Sequence, residues 1–227
     1  MYNKFNIKYL EKIFNLAKKK KYDFISLEKL YDLKGDIKKK FVLRLDVEYQ
    51  PHSLENFIKI AKKFKVPMTI YVRVAGPYNF FWYNTFKYLK KASNDGHEIG
   101  LHTTPYEWGK LNKQKSNQIL DAEVQVIKSF FNLKSISTHR DLNYTFNSLP
   151  WFEKNWLKIK KKYKLKYHAY DKKLFQKVQY VNEGFNPHLC WRNKSPEECI
   201  SKGESIYMLL HPHWWYEDNP FEHEYSN

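Results

Sequence analysis

Short apolar runs alternate with amphipathic stretches through most of the chain. The predicted strands are apolar runs that end in polar residues, and they are 41–46, 67–72, 97–102, 135–139 and 205–210, with shorter ones near 166–169, 177–182 and 186–190. The predicted helices repeat apolar residues at helical spacing, and they are about 5–19, 53–65, 80–94, 111–131, 150–162 and 195–202. Strands that alternate with helices predict a parallel sheet or a barrel.

The amino-terminal segment precedes this alternation. The helix predicted over about 5–19 is followed by a turn-rich piece, and the first strand begins at Phe41. We therefore divide the chain into an N-terminal helical extension, 1–40, packed on a barrel domain, 41–227. Ser53 is predicted to cap the helix that follows the first strand.

Composition places the chain among folded proteins of one sizeable domain. Of 227 residues, 18% are aromatic, which excludes disorder for most of the length. Two cysteines exclude a disulfide scaffold and a zinc module built on cysteine alone. Cys190 and Cys199 are expected to be reduced thiols of a cytoplasmic protein.

The charge favours anionic partners, with 40 Lys and Arg against 24 Asp and Glu and a net charge of +16. Alternatively, the lysines reflect the coding bias of an AT-rich genome and lie on solvated helix ends. No nucleic-acid-binding motif accompanies the charge, so no nucleic acid partner is expected. Neither a membrane span nor a secretory signal is recognised, which predicts a cytoplasmic protein with at most peripheral contact to an anionic membrane.

Polar residues follow several of the predicted strands. Asp46 and Glu48 end the first, and His102, His139 and His211 each end a later one. In a barrel, the carboxyl ends of the strands meet at one face, where active sites lie. A carboxylate and neutral imidazoles form a three-ligand site for Zn²⁺ or a similar ion. A second carboxylate and another histidine can then move protons, so the pattern predicts metal-assisted hydrolysis.

Four motifs carry a resemblance to a known family. They are R-L-D-V-E at 44–48, G-H-E-I-G-L-H at 96–102, T-H-R at 138–140 and L-H-P-H-W-W at 210–215. In this order they resemble the polysaccharide deacetylase family, carbohydrate esterase family four, over about residues 40–215. The resemblance implies an α/β fold, a distorted, incomplete (β/α) barrel of about seven strands. It also implies hydrolysis of N-acetyl or related amides on sugars with a divalent metal, for which we expect zinc.

The resemblance assigns roles to individual residues. Asp46 matches the catalytic base, and His211 matches the histidine that protonates the leaving group. Glu48 matches a metal-binding aspartate, and His102 matches the first histidine of the metal motif. Arg140 lies where the family has an arginine that orients the base.

Two positions depart from the family pattern. Glu48 keeps the carboxylate but is one methylene longer than the expected aspartate. Tyr106 stands where the second metal histidine belongs, and a neutral phenol is a poor zinc ligand. Either another residue supplies the third ligand or the site holds no metal. We expect His139 to supply it, and the alternative is a hydrogen bond between strands.

Further residues are expected to bind substrate. A sugar ring could stack on aromatic side chains, and Arg can hold an anionic group. The candidates are Tyr106, Trp191, Arg192, Trp214 and Trp215. Asp171 is expected to orient His211 from behind, although a surface role is equally consistent with its position.

The sequence thus predicts a cytoplasmic, metal-dependent deacetylase-like hydrolase. Its expected substrate is a nucleotide- or lipid-linked sugar in the biosynthesis of a surface glycan. One alternative is an inactive family member that binds a glycan without cleaving it. The other is a deformylase or a different amidohydrolase on the same barrel.

Overall fold

The computed structural model describes residues 5–35, 37–111, 115–139, 148–183 and 191–215. Its strands are β1 (Asp23–Phe24), β2 (Lys40–Val47), β3 (Met68–Val72), β4 (Glu98–Thr103), β5 (Ser135–Thr138), β6 (Tyr167–His168), β7 (Gln179–Asn182) and β8 (Ile206–Leu210). Its α-helices are α1 (Ile7–Lys19), α2 (Leu27–Asp32), α3 (Leu54–Phe64), α4 (Tyr83–Asn94), α5 (Pro105–Leu111), α6 (Ser116–Lys128), α7 (Ser148–Tyr163), α8 (Lys172–Phe175) and α9 (Pro196–Ser201). The strand predicted near 186–190 and Cys190 lie outside the described residues.

Seven strands form one curled, parallel sheet in the order β6-β5-β4-β3-β2-β8-β7. Neighbouring strands are parallel throughout this path. The register places Asp46 beside Tyr71, and Thr103 beside Thr138. With helices packed around it, this sheet is an incomplete α/β barrel, so the predicted fold class is confirmed.

The amino-terminal segment packs on this barrel and adds to its sheet. In α1, the Asn6 side chain accepts a hydrogen bond from the Tyr9 amide (2.8 Å), which satisfies a free amide of the first turn. Phe14 packs edge-on against Phe41 of β2, with ring centroids 5.8 Å apart. The two-residue strand β1 pairs with the start of β2. The sequence missed β1 and α2, because both are too short to show a hydrophobic period.

Ser53 does not cap α3, which corrects the prediction. Pro51–Ser53 form a 3-10 turn before the helix, so Ser53 already has helical backbone angles. Its hydroxyl donates to the Gln50 carbonyl at 2.7 Å rather than accepting from a helical amide. Proline at the first position fixes φ in the helical range and starts the turn earlier than the pattern suggested.

A glycine permits close packing inside the half-barrel. A Cβ atom at Gly100 would lie 2.5 Å from the Tyr71 ring, far inside van der Waals contact. The Tyr71 ring therefore lies against β4, and its centroid is 5.0 Å from the Arg44 guanidinium carbon. Tyr71 also donates a hydrogen bond to Ser135 at 2.9 Å. This packing fixes the arginine beneath the polar strand ends.

His168 is expected to make the protein less stable in acid. It is buried with its ring edge-on to Trp156 (4.7 Å between centroids), and burial lowers its pKa to about 4. In the unfolded state the pKa of this histidine is near 6.5, so the unfolded chain binds the proton more readily than the folded one. The contribution of neutral His168 to the free energy of unfolding is therefore fully present above about pH 6.5 and is lost as the pH falls towards 4.

The matched variant is His168→Phe, which keeps an aromatic ring without the titrating group. Between about pH 7 and pH 4, the free energy of unfolding should fall by roughly 2–3 kcal/mol more in the wild type than in this variant. Urea unfolding at several pH values measures the difference. Equal losses in both proteins would show that His168 does not titrate as its burial implies.

Candidate active site at the carboxyl ends of the strands

The structure brings the predicted strand-end residues together at one edge of the sheet. Asp46 lies in β2, His102 in β4, and His139 and His211 directly follow β5 and β8. Glu48 directly follows β2. The His139 amide donates to the Thr103 carbonyl at 2.9 Å, which extends the β4–β5 pairing and fixes the position of its ring.

Three of these side chains form a group that could hold a metal ion. Glu48, His102 and His139 each offer one ligand atom, and these atoms all lie within 4.8 Å of one another. Glu48 Oε1 is 3.0 Å from His139 Nε2 and 3.7 Å from His102 Nε2. Ligands of a tetrahedral zinc ion are about 3.3 Å apart, so the two distances bracket the required spacing.

The side chain of His102 supports this interpretation. It is fully buried, and its Nε2 has no hydrogen-bond partner among the described residues. Its Nδ1 lies 3.4 Å from the Ser137 carbonyl, which favours a proton on Nδ1 and a lone pair on Nε2. Burial also lowers the pKa of His102, which favours the neutral form that binds metals. The residues present therefore fit a divalent ion.

Asp46 is held by a buried arginine. Arg44 Nε donates to Asp46 Oδ1 at 2.7 Å, and its terminal nitrogen donates to Oδ2 at 2.6 Å. The same guanidinium also contacts the hydroxyl groups of Ser137, Tyr170 and Tyr207. Burial opposes ionisation of Asp46, but Arg44 and His102 together hold its pKa below the usual value. Asp46 is therefore a carboxylate with a fixed orientation.

Arg44 thus contacts the carboxylate for which we expected Arg140, and Arg140 lies outside the described residues. Residues two apart on a strand point to the same side, so the R-L-D spacing already contained this pairing. Arg44 belongs to the first of the four motifs, but no role was predicted for it.

His211 is held by Glu183, a residue that the sequence analysis missed. Its Nδ1 lies 3.2 Å from Glu183 Oε2, and its backbone amide donates to Glu183 Oε1 at 3.0 Å. Trp215 Nε1 also donates to Oε1, at 2.6 Å. Burial disfavours the charged imidazole, but Glu183 and Glu48 raise the pKa of His211 well above its usual value. Its Nε2 faces the group that could hold a metal ion and lies 3.5 Å from Glu48 Oε1.

Asp171 lies at the start of α8 and contacts the backbone of that helix. It is the N-cap of α8, where its side chain accepts a hydrogen bond from the Lys173 amide at 3.0 Å. The carboxylate behind His211 is therefore Glu183, and this corrects the expectation for Asp171. Glu183 directly follows the strand of residues 179–182, and the same position after a strand indicated the histidines. That position was the available signal for Glu183.

The aromatic candidates divide into three groups. Trp191 and Trp215 are buried against α1, where Trp191 donates to the Tyr9 hydroxyl at 3.0 Å. Burial leaves neither indole a free face for a sugar, which corrects that expectation. Tyr106 stacks on Trp151 at 6.5 Å, so its ring is engaged in packing between α5 and α7.

Trp214 and Arg192 remain accessible. The Trp214 ring is half-buried and lies 4.5 Å from that of His211, which places an aromatic surface next to the site. Arg192 is exposed, and its backbone amide donates to the Asn182 carbonyl at 3.0 Å. Of the five candidates, Trp214 has the position that suits contact with a bound sugar.

Comparison with known proteins gives structural matches only. No protein-family model matches the chain, and no curated protein matches it. One solved structure is wild-type BA3943, a CE4 family pseudoenzyme from Bacillus anthracis (TM-score 0.42, 16% identity, 78% of this chain and 56% of that chain). Another is a mutant of BA3943 with restored enzymatic activity (TM-score 0.40, 14% identity, 78% and 58%).

A further BA3943 mutant matches with a TM-score of 0.40 and 16% identity, over 80% of this chain and 62% of that chain. This chain thus spans less than two thirds of the length of each of these proteins. All three structures are described as members of the CE4 family, the carbohydrate esterase family that the four sequence motifs resemble.

Proposed function

We propose that the chain is a metal-dependent hydrolase that removes an N-acetyl or similar N-acyl group from a sugar. The observation that carries the proposal is the convergence of Glu48, His102 and His139 on one point. A carboxylate held by arginine and an imidazole held by glutamate flank that point. A metal site, a general base and a general acid, which metal-assisted amide hydrolysis requires, therefore each have a candidate at this edge of the sheet.

Glu48, His102 and His139 would hold the metal. Two imidazoles and one carboxylate form a ligand set used by catalytic zinc, and such sites leave a position open. Bound there, zinc would lower the pKa of a water molecule and polarise the acyl carbonyl. Burial raises the pKa of Glu48, but the imidazoles around it, His139 and His211 among them, outweigh this and hold the pKa well below its usual value. Glu48 is therefore ionised, as a ligand must be.

Asp46 and His211 would move the protons. As a water molecule attacks the acyl carbon, Asp46 accepts its proton, and Arg44 keeps that carboxylate oriented. The carbon–nitrogen bond then breaks, and His211 donates its Nε2 proton to the departing amine. Glu183 stabilises the charged imidazole before this transfer. The products are a carboxylic acid and an amino sugar.

The substrate class follows from the surroundings of the site. Trp214 beside His211 offers a stacking surface for a sugar ring. The net charge of +16 favours an anionic donor, such as a nucleotide- or lipid-linked sugar, in the biosynthesis of a surface glycan. We propose a cytoplasmic location for this step. Along the described residues, no helix has the length and apolar character needed to cross a membrane.

Hydrolysis of N-acyl sugars tests the proposal. The zinc-loaded protein would be incubated with N-acetylated and N-formylated amino sugars, both free and linked to a nucleotide, and the products weighed by mass spectrometry. We expect loss of one acyl group, abolished by a chelator and restored by zinc. Saturable sugar binding without any product would instead identify a glycan-binding module. Loss of formyl but not acetyl would identify a deformylase.

The Glu183→Gln variant is expected to lower kcat by roughly 10²-fold, because the neutral amide no longer stabilises the imidazolium that donates the proton. The matched control is Asp171→Asn, which changes a carboxylate outside the site and should leave kcat unchanged. In Glu183→Gln, the acidic pKa of the pH profile of kcat should be unaltered. The basic pKa, which we assign to His211, should move to lower pH. Equal effects of the two substitutions would contradict the assignment of Glu183.

A further inference from the structure

Several aromatic side chains are exposed together where α4 begins. Phe81, Trp82 and Tyr83 follow one another in sequence and are 57%, 61% and 73% exposed. The Phe81 ring lies 5.9 Å from that of Phe130, which is 38% exposed and follows α6. We call these four residues the aromatic patch. Contiguous exposed apolar surface is uncommon on soluble proteins and marks sites of interaction.

Lysines lie next to the aromatic patch. A shallow groove of about 800 Å³ runs along α4, and its charged lining residues are Lys87, Lys90, Lys91 and Asp95. Lys91 pairs with Asp95 at 3.2 Å. Lys90 donates to the Phe130 carbonyl at 3.0 Å, and its ammonium lies 5.0 Å from the Phe131 ring. Three cations against one carboxylate give this surface a positive charge.

We propose that the aromatic patch and its lysines bind the surface of an anionic membrane. Tryptophan and tyrosine favour the headgroup region, where their rings are partly apolar and their polar atoms stay hydrated. Lysines near such a surface contribute binding free energy through their attraction to anionic lipids, and the net charge of +16 adds long-range attraction. Trp82 does not line the groove, so an acidic peptide held there would leave the ring uncovered, whereas a membrane would cover it.

Vesicle binding tests this proposal without reference to hydrolysis. The full chain would be sedimented with vesicles of phosphatidylcholine alone and of phosphatidylcholine with phosphatidylglycerol. We expect binding to the anionic vesicles only, weakened by salt. Because no substrate is present, this result and the result for the proposed hydrolase can each fail independently.

Two pairs of variants locate the surface. Trp82→Ser combined with Tyr83→Ser should weaken partitioning roughly tenfold, because two rings leave the interface. The matched control is Leu157→Ser, which removes a side chain that is 81% exposed on α7 and should change nothing. Lys87→Gln should weaken binding about fivefold, and its control, Lys158→Gln on α7, should have less effect.

Quenching by brominated lipid is a second measurement that does not depend on how well the double variant folds. Tryptophan emission of the wild type should be quenched, and Trp82→Phe should lose most of that quenching. No binding to anionic vesicles would overturn the proposal. So would binding that is unchanged when Trp82 and Tyr83 are replaced, since charge alone would then explain it. A dimer that depends on Trp82, without vesicle binding, would assign the surface to a second copy of the chain instead.

Discussion

Replacing Asp46 with asparagine is expected to lower kcat by roughly 10³-fold while leaving the metal content unchanged. The amide keeps the size of the carboxylate but cannot accept a proton from water, and a general base contributes about 10²–10⁴-fold. Asp46 is not in the group that could hold the metal, although its Oδ2 lies 3.4 Å from His102 Nε2. Steady-state kinetics and metal analysis of the same preparation test both parts.

The comparison variant is Glu48→Gln, which should lose metal and activity together. The metal content of the two variants then distinguishes the role of Asp46 from that of Glu48, although the two residues are close in sequence. Turnover of Asp46→Asn at the wild-type rate would refute its assignment as the base. Loss of metal from Asp46→Asn would make it a ligand instead.

Replacing Arg44 with leucine is expected to cost about 3–5 kcal/mol of unfolding free energy, the largest stability effect that we anticipate. Arg44 is completely buried, so its removal leaves the Asp46 carboxylate buried without its main partner. The hydroxyl groups of Tyr207 and Ser137 also lose a donor. Urea unfolding of the purified variant measures the loss.

The double variant Arg44→Leu with Asp46→Leu provides the control. If the cost arises from the unpaired carboxylate, removing both charges should recover much of it. A double variant as unstable as Arg44→Leu would show that the arginine acts through packing against Tyr71 and Tyr170. A loss below about 1 kcal/mol in the single variant would contradict the account of the pair.

The strands and the strand-end residues could be predicted from the sequence because each signal is local. A buried parallel strand is a continuous apolar run, and the residue after it lies at the carboxyl edge wherever the strand is placed in the sheet. This is how Glu48, His102 and His139 could be expected near one another before their distances were known.

Contacts between distant segments could not be predicted in this way. Glu183 and His211 are 28 residues apart and meet only because β7 pairs with β8. Trp191 and Trp215 looked like sugar-binding residues, but the N-terminal segment covers them through Phe5, which precedes α1, and Tyr9 within it. Nothing in the periodicity of that helix indicates where it packs, so the core role of the two indoles became visible only in the structure.

Tyr106 illustrates the same limit within a motif. Its spacing from His102 places it where a second metal histidine was expected, and the sequence left two outcomes open. In the structure, its ring stacks on Trp151, whereas His139 lies 3.0 Å from Glu48 Oε1. The neighbouring strand β5 thus offers a third ligand atom at the carboxyl edge, which supports a metal site assembled without a second histidine in that motif.

The metal content of the purified chain tests the central claim most directly. Mass spectrometry would count divalent ions per chain before and after zinc supplementation in the wild type, in His139→Ala and in the control His97→Ala. In the wild type, His97 Nδ1 accepts a hydrogen bond from the Met68 amide at 3.3 Å, so this histidine is engaged elsewhere. We predict close to one ion per chain in the wild type and in His97→Ala, and none in His139→Ala. Full metal content in His139→Ala, or no metal in the zinc-supplemented wild type, would contradict the proposed site.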